Sequence, residues 1–183
     1  MTWSRRRVLR TGGALAGVSA SGLWVRMARS QEVSATRRIA LMNLHTDERL
    51  EIEYFRDGAY VPEALSAIDL VLRDFRTGER HAIDPRLMDY LTDVAHAMGV
   101  NPAFSVISGY RSPQTNANLR EQSTGVSQHS LHMEGRAIDV RMTDVDCATL
   151  AAHAEDLKRG GVGYYRASDF VHLDTGAFRT WKG

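Results

Sequence analysis

The run Ser130-Leu131-His132-Met133-Glu134-Gly135-Arg136-Ala137-Ile138-Asp139 constrains the fold more than any other part of the chain. It sets an imidazole and a carboxylate seven positions apart around a glycine. Those side chains meet only if the backbone reverses tightly at Gly135 and leaves as a strand. A second histidine with acidic neighbours follows in Asp169-Phe170-Val171-His172-Leu173-Asp174. His132, Asp139 and His172 together make a three-donor set for one zinc ion. Such a set keeps a fourth position open for water, as catalytic rather than structural sites do. Imidazole with carboxylate suits zinc, and geometry must exclude other divalent metals. His172 and Asp174 share a face of a regular strand, so Asp174 is expected to hold the second ring nitrogen of a ligand histidine. His45, His81, His96 and His153 read as ordinary surface residues.

With 183 residues and 43% hydrophobic content, the chain suffices for one globular domain. The formal charge of +1 conceals an asymmetry, because residues 1–30 hold six arginines and no acid. The remainder carries 17 basic and 22 acidic residues, a net −5, which argues against nucleic acid as a partner. Cys147 is the only cysteine, so neither an internal disulfide nor a cysteine metal cluster is available, and it reads as a small core residue.

The N-terminus reads as an export signal over 1–30. Ser4-Arg5-Arg6-Arg7-Val8-Leu9-Arg10 supplies the basic region, and Thr11 to Val25 a weakly apolar, Gly/Ala/Ser-rich one. Ala28-Arg29-Ser30 offers small residues where a signal peptidase reads, so cleavage is expected near Ser30. The arginine pair resembles a twin-arginine signal. The apolar stretch falls short of the roughly 20 strongly apolar residues a spanning helix needs, so no stable membrane span is expected in the mature form. The expected compartment is a bacterial periplasm, and the catalytic domain is 31–183.

Within that domain, 38–44 and 49–55 read as a hairpin of strands. Helices are expected from Pro62, with Leu65, Ile68, Leu72 and Phe75 on one face, and from Asp84-Pro85, ended by Gly99. Residues 104–107 read as a buried strand, 112–121 as a loop with a short helix, 136–141 as a strand and 145–158 as a helix. Residues 160–164 and 170–174 form a final strand pair. The expected class is α+β, with helices on one face of a small, mostly antiparallel sheet.

Ser108-Gly109-Tyr110-Arg111-Ser112-Pro113 places Arg111 at a strand end, where its guanidinium can hold a carboxylate or stabilise an oxyanion. These segments together resemble the D-alanyl-D-alanine carboxypeptidase-like zinc peptidases, which share a fold core with the Hedgehog signalling domain. The residues that carry the resemblance are Ser130-x-His132-x-x-Gly135-x-Ala137-x-Asp139, Ser108-Gly109-Tyr110-Arg111-Ser112 and Val171-His172-Leu173-Asp174. Gly160-Gly161-Val162-Gly163-Tyr164-Tyr165, Thr175-Gly176 and Trp181 narrow it to the YcbK, or murein endopeptidase K, branch. The resemblance spans about 37–183. It implies His132, Asp139 and His172 as zinc ligands, Arg111 as a substrate contact, and the peptide part of peptidoglycan as substrate, including cross-links between diaminopimelate residues.

Related peptidases place an acid three residues before the last zinc histidine. Asp169 holds that position and is the favoured catalytic base, provided the strand starts after it; His129 and Asp174 compete. Tyr110, Gln114 and Ser130 are expected cleft residues. The resulting reading is an exported, monomeric zinc endopeptidase of the cell wall. A carboxypeptidase trimming terminal D-alanine and a non-catalytic peptidoglycan-binding module are the alternatives.

Overall fold

A computed structural model describes residues 36–123 and 125–183. The expected export signal and its cleavage point therefore lie outside the described residues. The elements follow in the order β1 Arg37–Asn43, β2 Arg49–Arg56, β3 Ala59–Tyr60, α1 Pro62–Val71, α2 Pro85–Ala97, β4 Ala103–Ser108, α3 Pro113–Gln122, a 3-10 turn Leu131–Glu134, β5 Ala137–Arg141, α4 Cys147–Leu157, β6 Gly161–Tyr165, β7 Phe170–Asp174 and β8 Arg179–Lys182.

Local chemistry sets the helix starts. Proline opens α1, α2 and α3, where its missing N–H costs nothing. The side chains of Asp84, Ser112 and Asp146 cap α2, α3 and α4 by accepting the N–H groups of Arg86, Thr115 and Thr149. Asp57 and Gly58 both take positive φ, 53° and 79°, which suits a tight hairpin and turns β2 back into the short β3.

All eight strands form one sheet in the order β3-β2-β1-β4-β5-β7-β6-β8. Most pairings are antiparallel, but β1 with β4 and β6 with β8 run parallel, so the sheet is mixed. A parallel pair needs a long crossover, and the α1–α2 segment supplies it between β1 and β4. The sequence pattern signalled neither this parallel pairing nor the strands β3 and β8. α1 lies on β1 and β2, α2 on β1 and against α4, and α4 on β6 and β7. Ile39, Leu41, Tyr54, Phe104, Val106, Ile138, Val140, Val162, Val171 and Leu173 are the strand residues of the core. Strand side chains alternate, so Asp139 and His172 project from the opposite face. No helix among the described residues is long and apolar enough to cross a membrane.

Candidate metal centre

Three segments bring three donors together. Gly135 takes φ 65°, a conformation that strains residues with a Cβ, and a Cβ there would lie 2.2 Å from the Ala82 carbonyl oxygen. That turn ends the 3-10 segment carrying His132 and launches β5, which carries Asp139. The β5–β7 register then sets Asp139 directly beside His172.

The atoms His132 Nε2, His172 Nδ1 and Asp139 Oδ1 converge. The two nitrogens are 3.2 Å apart, and Asp139 Oδ1 lies 2.8 Å from His172 Nδ1 and 3.3 Å from His132 Nε2. Donors about 2.0–2.1 Å from a tetrahedral zinc stand roughly 3.3 Å from one another, so the spacing fits that ion. The remaining ring nitrogens are already engaged. His132 Nδ1 lies 2.7 Å from the Gly109 carbonyl oxygen and His172 Nε2 lies 3.2 Å from Asp174 Oδ2. Such partners fix the tautomer that leaves the metal-facing nitrogen free.

The electrostatics are those of a desolvated site. Burial pushes His132 below the ordinary imidazole range. Burial also pulls His172 down, but hydrogen bonds to Asp139 and Asp174 outweigh it and hold the ring at about 9. Burial alone would raise the two carboxylates; the His132 and His172 rings hold Asp139 far below the usual range, and His172 with Arg179 does the same for Asp174.

Arg111 enters from the loop after β4. Its backbone N–H donates to the His132 carbonyl, and its guanidinium stands 3.5 Å from Asp139 Oδ2, Ser108 Oγ and Asn116 Oδ1. Its Nε is buried without a protein partner among the described residues, and burial lowers its pKa. Such a cation has donors to spare for an incoming anion. The donors and Arg111 line a cavity of about 560 Å³, with Ser130, His129, Tyr165, Phe170 and Trp181 around them.

The other expected site residues lie elsewhere. Tyr110 stacks on His81 at 4.9 Å, and Gln114 is exposed and bonded to Asn118, so neither lines this cavity. Asp169 does not reach the donors. β7 does begin after it, but Asp169 takes φ 51° in the preceding turn and turns its carboxylate to Arg141, 3.5 Å away, with a side chain 69% exposed. Burial and then Asp169 push the Cys147 thiol up to about 11. Asp174 is fully buried and already bonded to His172, Arg179 and the N–H groups of Gly161 and Gly176, so it is no free base.

The family model for the peptidoglycan L,D-endopeptidase MepK matches residues 31–181. The chain belongs to the MepK family. It is 38% identical over 181 residues to the probable peptidoglycan L,D-endopeptidase MepK of Haemophilus influenzae, covering 98% of this chain and 96% of that protein. It is 36% identical over 178 residues to the peptidoglycan L,D-endopeptidase MepK of Escherichia coli K12, covering 97% of each. In this MepK-family chain, Arg179, Tyr165, Phe170 and Trp181 also line the cavity, and no motif in the sequence marks them for it. Pairing of β6 with β7 and β8 brings them there, and no local periodicity signals the β8 pairing.

Proposed function

We propose that the chain is an exported, monomeric, zinc-dependent peptidase that hydrolyses L,D-peptide cross-links of peptidoglycan in the periplasm. The observation that carries this reading is the convergence of His132, Asp139 and His172 on the floor of an open cavity beside an under-bonded arginine. The names of the relatives support the substrate class.

A zinc ion held by the three donors would supply Lewis acidity to the scissile carbonyl and the attacking water. Arg111 binds a carboxylate of the substrate peptide and orients the bond to be cut. Asp174 and the Gly109 carbonyl hold the two ligand imidazoles in register. Apart from the ligands, His129 is the only imidazole or carboxylate among the described residues lining the cavity. We assign it the proton taken from water and passed to the leaving amine.

The test is digestion of purified sacculi followed by mass spectrometry of the released muropeptides. Fragments cut at L,D-cross-links, absent with His132→Ala, are expected. Loss of terminal alanine alone, or equal release by His132→Ala, overturns the reading.

A further inference from the structure

β8 sits at the sheet edge, two strands away from the ligand strand β7, with β6 between them. Strands lie about 4.8 Å apart, so β7 and β8 are separated by about 10 Å. Side chains at that distance normally do not meet, because the middle strand fills the space. Here the middle strand offers none on the metal face at the two rows that matter. Gly163 pairs with His172 on one side and with Trp181 on the other. Gly161 pairs with Arg179 and donates its N–H to Asp174 Oδ1 at 3.1 Å.

Side chains of β8 occupy the trough those glycines leave. Arg179 reaches across Gly161 and grips both oxygens of Asp174, Nη1 to Oδ1 at 3.1 Å and Nη2 to Oδ2 at 2.6 Å. Trp181 lies across Gly163 with its ring 5.2 Å from that of His172, and its indole N–H donates to the Tyr165 hydroxyl at 3.0 Å. Arg179 also lies over the Trp181 ring at 5.1 Å. The trough is filled: a Cβ on Gly161 would fall 2.3 Å from Asp174 Oδ2 and 2.6 Å from Arg179 Nη1, and one on Gly163 2.4 Å from the indole.

We propose that Arg179 and Trp181 are positioning residues for the metal centre, acting across the glycine trough to hold Asp174 and the ring of His172. Arg179 uses a planar two-point grip that fixes the plane of the Asp174 carboxylate. That plane sets the direction in which His172 Nε2 is held, and with it the direction of Nδ1. Trp181 closes the other side of the same ring. The proposal rests on the reading of His132, Asp139 and His172 as metal ligands.

The experiment is zinc titration of the full chain against a chromogenic chelator, together with the visible spectrum of the cobalt-substituted protein. Arg179→Met and Gly163→Ala are compared with Thr180→Ala, an exposed neighbour on the same strand. Both trough variants should bind zinc about 10- to 100-fold more weakly and shift the cobalt bands, while Thr180→Ala changes neither. If Arg179→Met loses its cooperative thermal transition, Arg179→Lys, which keeps the charge but not the two-point grip, takes its place with the same expectation. Unchanged zinc affinity and cobalt bands in the trough variants overturn the proposal, as does an equal loss in Thr180→Ala. A raised KM with metal affinity intact also overturns it, because Arg179 would then act on substrate. Failure of the unaltered chain to bind one zinc overturns the ligand reading itself, which the trough variants by themselves cannot do.

Discussion

Replacing Arg111 with methionine should separate what this residue does for stability from what it does for function. Its guanidinium is largely buried, its three protein contacts all stand at 3.5 Å, and its Nε has no partner among the described residues. Contacts at that distance return little of the cost of desolvating a cation. An apolar side chain of similar length should therefore lower the midpoint only slightly, because Asp139 keeps His172 at 2.8 Å and His132 at 3.3 Å and so is spared the roughly 3–5 kcal/mol of a buried charge left without a partner. Activity should respond differently. A charge-assisted bond to a substrate carboxylate contributes roughly 1.5–3 kcal/mol, which corresponds to about a 10- to 150-fold loss in kcat/KM. Thermal unfolding and initial rates on purified sacculi, measured on one preparation with its zinc content, give both quantities. A variant within twofold of the unaltered rate, or one that unfolds at room temperature, would refute the reasoning.

Asp74 ties the start of α3 to the end of α1 by accepting the N–H groups of Ser112 and Arg76, each at 2.9 Å. Burial would raise its pKa, but hydrogen bonds from Thr115, Ser112 and Arg76 outweigh it and hold the carboxyl at about 2. The folded value is depressed, so the stabilisation is present above about pH 4 and is lost as pH falls towards 2. It amounts to about 2 kcal/mol, and acid titration of Asp74→Asn against the unaltered chain should show a shallower decline for the variant. Asp169→Asn should leave hydrolysis of sacculi within twofold, whereas His129→Ala should lower kcat at least tenfold with zinc content unchanged; the reverse ranking would return the base to Asp169. Leu150→Ala on α4, whose side chain is fully buried, should cost about 2–5 kcal/mol in denaturant unfolding.

Most of the scaffold was legible because it is written locally. Asp84-Pro85 announces a helix start, the apolar runs at 38–44, 49–55, 136–141 and 170–174 mark β1, β2, β5 and β7, and Gly135 marks the turn that sets His132 against β5. The features that were not legible depend on pairing. β3 is two residues long, and β8 reads Arg-Thr-Trp-Lys, with one apolar side chain and no alternation to betray a strand. Arg179 and Trp181 were therefore not legible as site residues. The direction of the Asp169 carboxylate was not legible for a related reason. Its distance in sequence from His172 is right for a base, but the positive φ in the turn and the nearby Arg141 decide where the carboxylate goes, and neither is a matter of spacing. Tyr110 follows the same pattern, since the loop after β4 sends Arg111 into the cavity and Tyr110 onto His81.

The central claim is that one zinc ion on His132, Asp139 and His172 enables cleavage of L,D-cross-links. The direct measurement is muropeptide release from sacculi by protein stripped of metal with a chelator and then titrated with zinc. Release should vanish on stripping and return in proportion to zinc, saturating at one ion per chain, with no recovery in His132→Ala. Full release by the stripped protein, or recovery in His132→Ala at the same zinc ratio, would contradict the account.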